Sequence, residues 1–309
     1  MDDTQVYIAA DRTYSRQLAS LQECLGAVHT WLLHNSLCLN PAKSDVIVFT
    51  PSRQQHTTKL DTVSVSSQPV IPSLTVKSLG IVLDNRLSMD QHVADVCKNC
   101  YFHIRTLHHV RSSLPDDVVR TVACSIVQSR LDYCNALFTD MSEANLSKLQ
   151  RVQNTLARGK YEQLTPALSE LHWLPVRQRI DFKVATLTFK VRQSGHPTYF
   201  SQQLSDYISN RSLRSASQHR LHTQPTRTVL AQRGFTSAAP KIWNSLREDL
   251  RNCCSLETFR RKVITHLFNR AFSAYAGFLP RPRIDFFSLH MARYKYLIDW
   301  LIDCLKWPQ

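Results

Sequence analysis

Glycine is scarce in this sequence, with 6 residues in 309. That excludes a collagen-like chain, and no glycine-rich phosphate loop is present to support an NTPase of that type. Long apolar runs are missing too: none approaches the roughly 20 residues a membrane-spanning helix requires. The most apolar late stretch, YLIDWLIDCLKW (296–307), is interrupted by Asp299 and Asp303 and reads as a short amphipathic helix. No basic segment followed by an apolar one opens the chain, so no secretory signal is expected and the predicted location is intracellular, in nucleus or cytoplasm. The 9 cysteines are scattered, which for a chain without a signal implies reduced thiols. There is one CxxC, Cys97 to Cys100, followed by His103, His108 and His109. The apolar period puts all of them along one helix, from which four ligands cannot converge tetrahedrally on zinc. Buried thiols on the helix's apolar face are the expectation there.

Acidic residues are absent from 207–247, a stretch holding seven Lys/Arg. This belongs to a wider asymmetry. Residues 1–100 carry 8 Lys/Arg against 9 Asp/Glu, whereas the remainder carries 30 against 15, giving the chain its net charge of +14. A near-neutral front and a strongly basic rear suit a polyanionic partner, RNA or DNA, bound without sequence preference. Arginine dominates the rear, and its planar fork engages two phosphate oxygens at once.

What is there begins with Asp2 and Asp3, directly before a β-prone stretch. A surface turn explains such a pair, and so does a pair of metal-binding carboxylates at a hairpin tip. TQVYIAA (4–10) reads as a strand. From Ser15 to Asn35, Leu18, Leu21, Leu25, Val28 and Leu32 recur at helical spacing. Asn40-Pro41 marks a turn, and DVIVFT (45–50) reads as a buried strand. Residues 51–73 suggest a loop or weak hairpin, and LTVKSLGIVLD (74–84) a strand containing Gly80. Helical periods then take over at 92–110, beyond Pro115 with Asp116 as cap and Val118, Val122, Ile126 and Leu131 as stripe, and at 143–158. A second helical group spans 164–193, with Pro175 at the start of its longer helix. The Ser-, Thr- and Gln-rich 207–247 reads as a loop whose end, FTSAAPKIWNSL (235–246), is expected to anchor the chain back to a core through Phe235, Ile242, Trp243 and Leu246, and a last helix covers 256–272.

In that order, several segments resemble non-LTR retrotransposon reverse transcriptases of the LINE type, the jockey-like group. DDTQVYI (2–8) resembles the end of their Asp-Asp signature. WLLHNSLCLNPAKSDVIVF (31–49) and VKSLGIVLDNRLSMDQHV (76–93) are similar to the palm elements that follow it. SRLDYCNALF (129–138), LQRVQN (149–154), LHWLPVRQRIDFK (171–183) and AAPKIWNSLRED (238–249) resemble the helical C-terminal half of such reading frames. The likeness covers residues 1–272 and ends before the tail containing PRPRIDFF.

The resemblance implies an α+β fold: a truncated polymerase palm at 1–90, a thumb-like helical unit at 91–160, a basic helical region at 161–275 and a divergent tail at 276–309. It implies that Asp2 and Asp3 are catalytic and hold Mg²⁺, a hard cation that prefers carboxylate oxygens, and that Lys43 occupies the position of a palm lysine. A third aspartate and the fingers would lie before residue 1, so the chain alone is expected not to polymerise. Arg211, Arg214, Arg220, Arg227 and Arg233 in the acid-free stretch, with Arg260, Arg261 and Lys262 on the last helix, are the expected nucleic-acid contacts. Three readings stay open: a polymerase fragment, a binding module that uses the basic half, and a translated transposon relic.

Overall fold

The structure, a computed structural model, describes residues 4–9, 15–50, 62–157, 168–169, 171–208 and 219–273. Among the described residues the fold is mixed α+β, mainly helical, with two small antiparallel sheets. The chain divides into two compact units, Met1–His92 and Val93–Gln309. Among the described residues no helix is long and apolar enough to cross a membrane.

In the first unit, α1 (Ser15–His34) carries the expected stripe, and Leu18, Leu21, Leu25, Val28 and Leu32 are all half-buried. None of its side chains is fully buried, although the helix packs on β1 (Val63–Val65). β1 pairs with β2 (Gln68–Val70) through a turn in which Ser66 and Ser67 both take positive φ, 48° and 66°. The single strand expected at 74–84 is instead a second hairpin. β3 (Thr75–Ser78) pairs with β4 (Ile81–Asp84), because Leu79 and Gly80 turn the chain with φ of 48° and 79°. Two consecutive left-handed residues match the natural twist of a tight hairpin. Two other expected strands do not form. Residues 4–9 join no sheet, with Tyr7 96% exposed and Gln5 reaching the Ser78 hydroxyl through its side chain alone, while 45–50 contributes a lone parallel bridge from Ile47 to Ser73. An apolar run becomes a strand only where a partner edge receives its hydrogen bonds.

After β4, Asp84 organises the entry to the next helix. Its carboxylate accepts from the backbone N–H groups of Arg86 (3.1 Å), Ser88 (2.9 Å) and Met89 (2.8 Å), and from the Ser88 hydroxyl (3.2 Å). Burial works to raise its pKa, but these donors outweigh it and hold the carboxyl below its ordinary value.

α2 (Asp90–Val110) opens the helical part. Cys100 is buried on its inner face with its thiol 4.0 Å from the Val127 carbonyl oxygen, and burial pushes that thiol's pKa up to about 12. α3 (Asp116–Ala123) runs through a π-helical turn at 124–128 into α4 (Ser129–Asp132). Ala123, Cys124, Val127 and the expected Leu131 face the core, while the expected Val118 and Ile126 are 38% and 37% exposed; within the wider turn Val127 takes the inward position. α5 (Glu143–Ala157) matches the expected third helix closely.

α6 (Val176–Ser194) is the centre of the second unit. It starts directly after Pro175, ends at Gly195 in the left-handed conformation (φ 70°), and is buried on nearly every side. α7 (Thr198–Ser201) follows it. The stretch expected to be a loop instead contains α8 (Val229–Arg233) and α9 (Phe235–Ser245), with Pro240 inside α9. Burial of Ala238, Ala239, Ile242 and Trp243 against the core overrides the polar local composition there. α10 (Glu248–Arg251) and α11 (Leu256–Phe272) complete the described chain. Phe189 of α6 stacks on Phe259 of α11 at 4.4 Å between centroids, and Trp243 lies 5.7 Å from the same ring.

The segments that carry the family resemblance hold one another in place here. Arg179 donates from Nε to Asp132 at 2.7 Å, from Nη2 to the other oxygen of that carboxylate, and from Nη1 to Gln128 at 2.8 Å. Gln153 donates to the Leu174 carbonyl oxygen at 2.9 Å, and the Val176 N–H donates to Gln150 at 2.9 Å. Asn244 exchanges two hydrogen bonds with the backbone of Leu221, and Trp243 Nε1 donates to the His219 carbonyl oxygen at 2.9 Å.

Candidate nucleic-acid interface

α11 has two faces. Phe259, Val263, Leu267, Phe268 and Phe272 are buried, and the opposite side presents Arg261, Lys262, Thr265, His266, Asn269 and Arg270. The spacing explains the division, because residues separated by four and eight positions return to the same side of a helix. Arg247, immediately before α10, and Asp249 close the outer side into a groove of about 520 Å³.

Four cations therefore surround one concavity, and two carboxylates partly offset them. Arg247 pairs with Asp249 at 3.1 Å, and Arg270 pairs with Asp181 of α6 at 2.6 Å. Burial pushes the Asp181 carboxyl above its usual pKa, and Arg270 opposes that rise. Among the described residues, neither Arg261 nor Lys262 is paired with a carboxylate. An uncompensated pair of adjacent cations beside two guanidinium groups attracts phosphate by charge and offers forked hydrogen bonding once it arrives.

The expected contacts do not form one continuous track. Arg261 and Lys262 share the groove. Arg260 is half-buried on another side of α11 and acts on Lys183, whose ammonium is held below its usual pKa chiefly by burial and then also by Arg260. Arg233 is half-buried, and its guanidinium donates to the Leu137 carbonyl oxygen at 3.3 Å. Arg220 and Arg227 are exposed outside the groove, and Arg211 and Arg214 lie outside the described residues. Arg247, His266 and Arg270 join the groove without having been expected there. The four- and eight-residue spacing from Lys262 could have revealed His266 and Arg270, whereas Arg247 reaches the groove through tertiary packing.

Asp2 and Asp3 also lie outside the described residues. Lys43 is exposed at the end of a 3₁₀ turn, Pro41–Lys43, capped by Asn40, which accepts from Ala42 N at 3.0 Å. Among the described residues, no three His, Cys, Asp or Glu side chains converge as metal ligands. Asp84 cannot serve as one in this conformation, because both its oxygens are occupied by the turn. The described residues by themselves assemble no Mg²⁺ site.

No protein-family model matches the chain, and neither does any curated protein or solved structure.

Proposed function

We propose that this chain is the portion of a LINE-type reverse transcriptase running from the Asp-Asp motif through its helical C-terminal region, and that it binds RNA or DNA through backbone phosphates at the α11 groove. The order of the quoted motifs supports the family reading. In this reading Asp2 and Asp3 would be the Mg²⁺ ligands, and Lys43 an auxiliary cation near them.

The observation that carries the binding reading is the groove: Arg247, Arg261, Lys262 and Arg270 facing one concavity, two of them without a carboxylate partner among the described residues. Contacts of this kind read charge, not bases, and displace counterions when they form. Retention of a labelled single-stranded RNA by the full chain, measured across a salt series, tests it. Affinity is expected to fall linearly on logarithmic axes, and Arg261→Glu with Lys262→Glu lowers the slope by about 0.7 for each phosphate no longer engaged. Salt-independent binding, or equal binding by the double variant, overturns the groove assignment.

A further inference from the structure

His266 sits one turn beyond Lys262 and one turn before Arg270, in the floor of the groove. It is half-buried, and its Nε2 is covered by protein with no hydrogen-bond partner. An unsatisfied polar atom costs roughly 1–3 kcal/mol, and a hydrogen-bonding ligand in this cationic groove would relieve that cost. The charged groups facing the ring are Arg247 and Asp249 from the α10 side, Arg261, Lys262 and Arg270 from its own helix, and Asp181 of α6 behind Arg270. Burial foremost, and then the Arg247 and Arg270 guanidinium groups, hold the imidazole below its ordinary pKa of 6.5, with Asp249 opposing them. These influences favour the neutral form of His266 at neutral pH.

A phosphate changes each of these influences. It neutralises the guanidinium repulsion, brings a negative charge close to the ring and supplies the missing acceptor. We propose that His266 is a phosphate ligand of this groove, and that it binds as imidazolium after taking one proton from the buffer. Rotation of the ring about its Cβ–Cγ bond aims an N–H at a phosphate oxygen, and no bond to phosphorus forms or breaks. This rests on the groove being the phosphate site. It adds something simple charge attraction does not give, namely that binding consumes a proton. The sign follows from linkage. Affinity is flat above the bound-state pKa, rises by up to about tenfold per pH unit as pH falls toward the free-state pKa, and is flat again below it.

The test uses the full chain, a labelled single-stranded RNA, constant ionic strength and phosphate-free buffers. Anisotropy titrations give affinity against pH, and calorimetry in two buffers of different ionisation enthalpy counts the protons taken up. Wild type is expected to take up close to one proton more than His266→Gln, and its affinity to depend on pH more steeply than the variant's. Equal proton uptake and equal slopes in the two proteins overturn the role of His266 while leaving the groove standing. Unchanged RNA binding in the Arg261→Glu, Lys262→Glu protein overturns the groove, and this inference with it. Circular dichroism establishes that the Gln protein is folded, with His266→Asn as the second variant. Should neither fold, the imidazole NMR spectrum of wild type decides: a histidine whose titration midpoint moves upward with RNA supports the assignment, and its absence overturns it.

Discussion

In the unit Val93–Gln309, Trp243, Phe259, Val263 and Leu250 are at most 1% exposed and belong to one continuous core; in Met1–His92 the longest helix, α1, has no buried residue at all. Among the described residues the first unit fully buries Val63, Val65, Ile81 and Met89 as apolar side chains and little else. The contrast shows where the stability of the described chain is made. Hydrophobic stabilisation follows area removed from water, so the helical unit carries most of it, and the hairpin unit relies on turn chemistry such as the Asp84 hub.

The largest expected effect comes from breaking the helical unit at its buried ion pair. The Arg179 and Asp132 side chains are 8% and 17% exposed, so Arg179→Met strands a carboxylate at a cost of about 3–5 kcal/mol. Urea unfolding followed by far-ultraviolet dichroism measures this. Asp132→Leu combined with Arg179→Met is expected to recover part of the loss, limited by half-buried Lys183, which loses the favourable charge of Asp132. A double variant no better than the single one would show that the pair works through geometry alone.

Of the same order is the larger member of a pair of tryptophans. Trp243→Ala removes a side chain 1% exposed at the aromatic stack and is expected to cost about 3–5 kcal/mol, near the upper part of the scale for core truncations. Trp31→Ala removes one that is 62% exposed and should change stability by no more than about 0.5 kcal/mol. A large loss from Trp31→Ala would overturn the description of α1 as a loosely covered helix.

Much of this division was legible in the sequence, and the failures have common physical causes. The helices at 92–110, 143–158 and 256–272 have strong periods and emerge within one or two residues of expectation. Strands at 4–10 and 45–50 failed because a strand needs a partner edge, which local pattern does not report. Within the π-helical turn at 124–128 Val127 and not Ile126 faces inward, a local change no regular period encodes. At α9 the core anchors Ile242, Trp243 and, just past its end, Leu246 were legible and are buried, but the helix itself was not, because the surrounding polar composition favours a loop. The groove was half-legible: Arg261 and Lys262 lie on a predicted helix, but Arg247 joins them through packing.

A smaller effect sharpens the first unit's side of the comparison. The Asp84 carboxyl is held below its ordinary pKa of 3.8, so its contribution is present above that value and is lost as pH falls through the lower folded value. Asp84→Ala removes an acceptor from three backbone N–H groups and should cost about 1–2 kcal/mol, comparable with loss of a helix cap. It should also flatten acid unfolding of the hairpin unit, which hydrogen exchange of β3 and β4 amides would report.

The smallest expected change is in the groove. Asp181 carries a raised pKa, so its ionised form is costly where it sits, and the sign is opposite to that of Asp84. Its contribution is unfavourable above the folded pKa and is relieved as pH falls through it. Asp181→Asn keeps the shape but removes the charge that engages Arg270, which is 40% exposed and therefore partly screened. The pair is worth no more than about 1 kcal/mol, so RNA should bind up to about fivefold more tightly with Arg270 released. Thermal stability at neutral pH should hold or rise slightly, in contrast to the loss expected from Asp84→Ala. Weaker RNA binding by a folded Asp181→Asn protein would mean that the carboxylate positions Arg270 for the phosphate and does not compete for it. The groove's two ion pairs would then be supports for its cations, and the count of charges free to meet an anion would rest on Arg261 and Lys262.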